Sequence, residues 1–178
     1  MEETLDEILN FSMHKFLTKD IDDSLINKYL NYKNLFINRK FSASKKKIKK
    51  IDHYLWWFQK QKNRKSFFIV KDGFPIFIST CDHVNFKKYK IIYSGLISCT
   101  AETNLFDLLK SIKMQNNYLD KQKNHYCCIS IDRSNMALMK HWKYFGYKPL
   151  MSNSSLFKFC KINFNIKKNF NLYYKIIL

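Results

Sequence analysis

The chain has 178 residues, 46% of them apolar and 17% aromatic, with only three glycines and two prolines. That length can bury a core without metals or disulfides, and that composition leaves little material for a flexible linker, so one ordered globular unit is expected. A formal charge of +18 favours polyanions or small anionic ligands such as phosphorylated cofactors. The joint abundance of Lys, Asn, Ile, Phe and Tyr is also what an AT-rich coding sequence supplies as solvated surface.

The first eleven residues, MEETLDEILNF, are acidic where a secretion signal is basic. No run approaches the roughly 18 apolar residues of a spanning helix. The five cysteines are odd in number and contain no CxxC pair, which fits reduced thiols in a cytoplasmic protein and gives a metal site no support.

Residues 22–32 place Leu25, Ile26, Tyr29 and Leu30 on one face, with Asp20 or Asp22 available as N-cap, and predict a first helix. A second helix is predicted after Ser44, with an apolar stripe of Ile48, Ile51, Tyr54 or Leu55, and Phe58; it carries His53, Trp56 and Trp57. On this reading the cluster KKKIKK at 45–50 is the polar side of that helix.

Residues 66–71 and 74–79 flank Asp72-Gly73 and predict a hairpin, since Gly supplies the positive φ that a two-residue turn needs. Pro75 belongs at a strand start or outward edge. A strand over 89–99 contains Gly95, which suggests a bulge or a close backbone approach. Leu105, Leu108, Leu109 and Ile112 mark a helix over 104–116 capped by Thr103 or Asn104. A buried strand at 125–131 is followed by a helix at 135–145 ended by Gly146. Strands at 155–162 and 171–178 complete the expected sheet.

In the segment 129–150, Asn135 is followed eleven residues later by Gly146 and then Tyr147. This resembles the closing strand and helix of the GNAT superfamily of acyl-CoA-dependent N-acyltransferases. Residues 29–41 and 52–58, with Asn34, Arg39, His53, Trp56 and Trp57, resemble the N-terminal helices of members that act on amino sugars in surface-glycan pathways. The resemblance implies an α/β domain over 16–178, with a mixed, mostly antiparallel central sheet and helices on both faces, behind an N-terminal extension at 1–15.

It also implies acetyl-CoA as acyl donor, held by Leu96, Ile97, Ser98, Thr100, Ala101, Thr103, Asn104, Asn135, Trp142 and Lys143. The acceptor is then an amino sugar or nucleotide-linked amino sugar, met by Trp56, Trp57, Asn34 and Arg39. An amine attacks the thioester directly, and a base is needed because an alkylamine has a pKa of about 10. Glu102 and His53 are the candidates, against roles as helix-terminus charge and hydrogen-bonded helix residue. Cys99 reads as a buried thiol.

Two departures narrow the resemblance. The glycine-rich pyrophosphate turn of the family is replaced by Cys99-Thr100-Ala101-Glu102-Thr103-Asn104, and the position of the usual Tyr acid is Trp142. The rival readings are a basic nucleic-acid-binding module, disfavoured by the lack of a motif, and a catalytically inactive GNAT-fold binding protein. A homodimer is left open.

Overall fold

A computed structural model describes residues 9–10, 13–60, 63–87 and 89–178. Its seven strands form one sheet in the order β1-β2-β3-β4-β5-β7-β6. The strands are β1 (Phe16–Asp20), β2 (Arg64–Lys71), β3 (Phe74–Phe86), β4 (Tyr89–Ser98), β5 (His125–Asp132), β6 (Lys148–Pro149) and β7 (Phe170–Ile177). The helices are α1 (Ile26–Lys33), α2 (Phe36–Lys40), α3 (Lys50–Lys60), α4 (Leu105–Leu119), α5 (Met136–His141) and α6 (Ser155–Asn163). Every strand pairing is antiparallel except β4 with β5, so the expected mixed sheet is present.

The β2–β3 hairpin turns where expected, with Asp72 at φ 48° and Gly73 at φ 86°. Both central residues are left-handed, the geometry that matches the twist of the flanking strands. Pro75 is the second residue of β3, and the register shifts opposite it between Ile69 and Val70. Gly95 makes no bulge: it sits in regular register across from Thr80. β3 runs on to Phe86 and pairs with β4 along its whole length, beyond the strand end expected at residue 79.

One sheet face packs against α4. Ile92, Leu109, Ile112, Ile129 and Ile131 are buried there with Trp142 and Tyr147, and Leu9 from the N-terminal segment joins them. The opposite face is shared by α1 with α3, over Phe68, Val70 and Ile78, and by α6, over Ile91, Cys128 and Leu172. Asp22 caps the turn that leads into α1, its carboxylate accepting from the Ser24 amide. Gly146 ends the α5 segment at φ 81°, the left-handed close that the sequence suggested.

Two sequence expectations are corrected. Residues 155–162 are helix, not strand: Ser154 caps the Phe157 amide, and Leu156 and Cys160, one turn apart, are both buried. The second predicted helix begins at Lys50 rather than after Ser44. Its expected stripe faces solvent, with Ile51, Leu55 and Phe58 all exposed, while His53 and Trp57 at i and i+4 form the buried side. Trp57 offers more area to bury, and its indole N–H reaches the Asp23 carboxylate at 2.7 Å, so both the apolar body and the polar tip are satisfied inside.

Candidate active site

The single parallel pairing is short. β4 and β5 pair only from Lys90–His125 to Tyr93–Cys128. Beyond that point β4 stays with β3 to Ser98 and β5 stays with β7 to Asp132, so the two strand ends separate and leave a gap in the sheet. The Cys99 amide donates to Ile76 O on β3 at 2.8 Å. In an antiparallel ladder the amides alternate in direction, so Leu96 and Ser98 turn their N–H and C=O groups toward the gap. An extended ligand can pair with that edge as a strand does.

Part of the edge is already taken. The Asn38 side chain donates Nδ2 to Ser98 O at 2.7 Å and accepts from the Ser98 amide at 2.9 Å, as a neighbouring strand would. A third bond, from Nδ2 to Tyr32 O at 2.7 Å, holds Asn38 to α1. Across the gap, Lys45 Nζ lies 3.6 Å from the Asp132 carboxylate at the end of β5. Residues 38–45 therefore bridge the two separated strand ends. Hydrogen bonds from Ser134, with Lys45 beside it, hold the Asp132 carboxyl below its ordinary pKa although burial opposes this.

Asn34 and Arg39 build this bridge. Asn34 pairs with both backbone groups of Ile48, at 3.0 and 2.8 Å. Arg39 donates to Asn34 O and Lys45 O. These bonds commit the Asn34 amide and two of the Arg39 donors to the loop.

The turn after β4 is tied by hydroxyls. Ser98 Oγ lies 3.0 Å from Thr103 Oγ1 and accepts from the Thr100 amide at 3.2 Å, and Thr100 Oγ1 donates to Glu102 O at 2.5 Å. Among the described residues no acceptor takes the amides of Ala101, Glu102 and Thr103, which stand in the exposed approach to α4. Free amides at a helix N-terminus are suited to phosphate. Asn104 caps α4 by accepting from the Asp107 amide at 2.7 Å, and the half-buried Lys71 ammonium offsets the Asp107 carboxylate at 2.9 Å. The turn therefore fits an anionic phosphate through its backbone, while the Ser98 edge fits an extended ligand only once Asn38 lets go. Glu102 is exposed on this turn.

On the β5 side, Asn135 caps α5 through the Leu138 amide at 3.2 Å, and Lys143 is exposed. Trp142 is buried against Tyr147 with ring centres 4.8 Å apart, and its indole N–H has no partner. Leu96 packs toward the α4 side and Ile97 toward α1 and α3. Cys99 is buried, and burial pushes its thiol up to about 12, so it is an inert core thiol.

His53 is placed away from this gap. It is 1% exposed, enclosed by Tyr29, Trp56 and Trp57, and neither ring nitrogen has a hydrogen bond of normal geometry, although the Ile26 backbone lies near. Burial, with Lys33 adding to it, pushes the imidazole down to about 4. A neutral ring with no access to solvent cannot take a proton from a bound amine. Trp57 is likewise buried, so of the two tryptophans only Trp56 retains exposure.

Trp56 carries two cations. Lys33 Nζ and Arg64 Cζ each lie 3.8 Å from its ring centre. Arg64 also grips Asp82 through two bonds, of 2.5 and 2.6 Å. Burial, then the neighbouring Arg64, lowers Lys33 to about 8. Arg64, Asp82 and Tyr93 occupy one cross-strand row, and Tyr93 is the last β4 residue paired with β5. This cluster thus lies roughly 10 Å, two strand spacings, from the origin of the gap. Neither Asn38 nor the Arg64–Asp82 pair carried a signal in the sequence. A larger concavity of about 290 Å³, lined by Lys65, Phe67 and Tyr118 among others, lies toward β1, away from the gap.

No family model and no curated protein matches the sequence. Solved structures do match in shape. An N-acetyltransferase from Staphylococcus aureus Mu50 superposes with a TM-score of 0.66 at 13% identity, over 92% of this chain and 99% of the other. A GNAT-family acetyltransferase from Streptococcus pneumoniae gives 0.65 at 9%, over 92% and 100%. The yncA protein of Salmonella typhimurium, solved with its cofactor acetyl-CoA, gives 0.61 at 9%, over 89% and 91%. At such identities the likeness is one of fold, and the fold of this chain is that of the GNAT acetyltransferases.

Proposed function

We propose that the protein transfers an acyl group, most simply acetyl, from acyl-CoA to an amino group of a sugar or nucleotide-linked sugar. The observation that carries this reading is the gap between β4 and β5, with a β4 edge that Asn38 holds only at Ser98 beside a turn of free amides at the head of α4. The amides of Ala101, Glu102 and Thr103 would hold the pyrophosphate, and the Leu96 edge the pantetheine arm. The donor supplies the activated thioester carbonyl. The Leu96 N–H would polarise that carbonyl as negative charge develops on its oxygen. The amine nitrogen would bond to the thioester carbon while the C–S bond breaks and the CoA thiolate leaves, taking a proton from solvent, and the amine would lose its own proton to a base reached directly or through water. Glu102, exposed on the turn, is available for this, and His53 is not.

The amino-sugar part rests on Trp56. Lys33 and Arg64 already cover its ring, so what it offers an acceptor is its exposed edge, with the Lys33 ammonium beside it for a linked phosphate. Isothermal titration with acetyl-CoA tests the donor half: binding is expected, and no heat at millimolar ligand would remove it. Release of free CoA with amino-sugar nucleotides as acceptors tests the other half. A non-catalytic GNAT-shaped binding protein is favoured by one observation, the occupation of the Ser98 edge by Asn38, and predicts no CoA release with any amine.

A further inference from the structure

A second, smaller cavity of about 60 Å³ lies between β2 and α3, lined by Ile21, Trp57, Arg64 and Ser66. Its polar walls are incomplete. Arg64 is held through Nε and Nη2 by Asp82, but its buried Nη1 has no hydrogen-bond partner. Ser66 Oγ, on a residue 6% exposed, has none either, and nor has the hydroxyl of fully buried Tyr29. That phenol and the Ser66 hydroxyl are near enough to interact as an imperfect hydrogen bond, and burial, the larger effect, drives the phenol's pKa well up. It therefore stays a neutral donor.

An empty donor on a buried guanidinium costs more than one on a neutral group, and here that donor and the Ser66 hydroxyl line one cavity. The nearby carboxylates are engaged elsewhere: Asp82 on the other edge of Arg64, and Asp23 on the indole N–H of Trp57 at 2.7 Å. Among the described residues Lys33, beside Trp56, has no carboxylate within ion-pair distance. The volume admits more than one water but no ring.

We infer that this cavity is a binding site for one small oxyanion group, a carboxylate or a phosphate, received by Arg64 Nη1 and the Ser66 hydroxyl. The assignment does not depend on acyl transfer, since it rests on donors and space at β2 and α3 rather than on the gap.

Trp57 forms one wall, so tryptophan emission of the full chain reports occupancy. Titrations with sodium acetate and with sodium phosphate separate the two oxyanion sources, with sodium chloride as the screening control at matched ionic strength. The expected result is a saturable change with acetate, phosphate or both, at least tenfold weaker in Ser66→Val, which fills the cavity and removes a donor. Ser66→Ala, which keeps the packing and loses only the hydroxyl, should weaken it as well and covers the case in which the valine variant does not fold. Acetate and phosphate curves that superimpose on chloride in the native protein, or a saturable change that persists undiminished in Ser66→Ala, would overturn the assignment.

Discussion

Replacing Asn38 by Ala separates two roles of the β4 edge. The substitution removes two bonds to the Ser98 backbone, of 2.7 and 2.9 Å, and one to Tyr32 O of 2.7 Å. A net hydrogen bond contributes about 1 kcal/mol. The three bonds are then worth about 3 kcal/mol, so a domain of this size should melt roughly 6–12 °C lower, and the two to Ser98 make up about 2 kcal/mol of it. If the donor's pantetheine arm uses the same edge, Asn38 must release Ser98 before the arm can pair, and that release is subtracted from the binding energy. Removing it in advance should tighten acetyl-CoA by roughly 30-fold, the equivalent of about 2 kcal/mol. Differential scanning fluorimetry gives the first quantity and isothermal titration the second. A variant that melts lower yet binds acetyl-CoA no better, or worse, would refute the competition and return Asn38 to a purely structural role.

His53 predicts a pH dependence. Its folded pKa, about 4, lies below the ordinary 6.5, so the unfolded chain takes up a proton that the folded chain refuses. The penalty is absent above about 6.5 and grows as pH falls from there toward about 4. Denaturant unfolding of His53→Phe should therefore lose less stability than the native protein across that window; identical slopes would mean that the imidazole is hydrated. The five cysteines are all buried and reduced, and burial raises the thiols of Cys81, Cys99 and Cys127 to about 12. Ellman's reagent should leave them unlabelled in the native state and label all five in denaturant, and a fast-reacting thiol at neutral pH would contradict the packing.

The parts of the fold that the sequence disclosed were those fixed by local chemistry. Asp72-Gly73 and Gly146 needed left-handed backbone, and Ile112 and Leu109 marked the inner face of α4. The errors arose where tertiary packing chose between local alternatives. The run 155–162 mixes aromatics with Leu and Ile and reads as strand, yet Ser154 at its head and the four-residue spacing of Leu156 and Cys160 were the helical signals that prevailed. In α3 the aliphatic stripe lost to His53 and Trp57, because the pocket formed by Tyr29, Phe68 and Asp23 fits an indole with an acceptor at its tip. Of the candidate site, the turn at 99–104 was singled out in the sequence by its place after β4. Asn38 was invisible, being one Asn among many, and only the direction of the Ser98 amide gives it meaning.

That direction also explains why the gap does not close. β4 is paired from end to end with β3, and β5 from end to end with β7, so each strand follows its own half of the sheet. The twist of the two halves then separates the ends after Tyr93 and Cys128, whatever side chains line them. Tyr93 and Ser130 still touch across the start of the gap, hydroxyl to hydroxyl at 2.5 Å, with Phe164 of the segment after α6 stacked on the Tyr93 ring at 4.1 Å. Past that contact, among the described residues, no strand pairing spans the gap, and the span is made by residues 38–45, drawn from the connection between α1 and α3. The opening is thus a property of strand order, and its occupancy a property of one loop. A protein built this way can change what it admits by altering Asn38 and Lys45 while its core stays untouched.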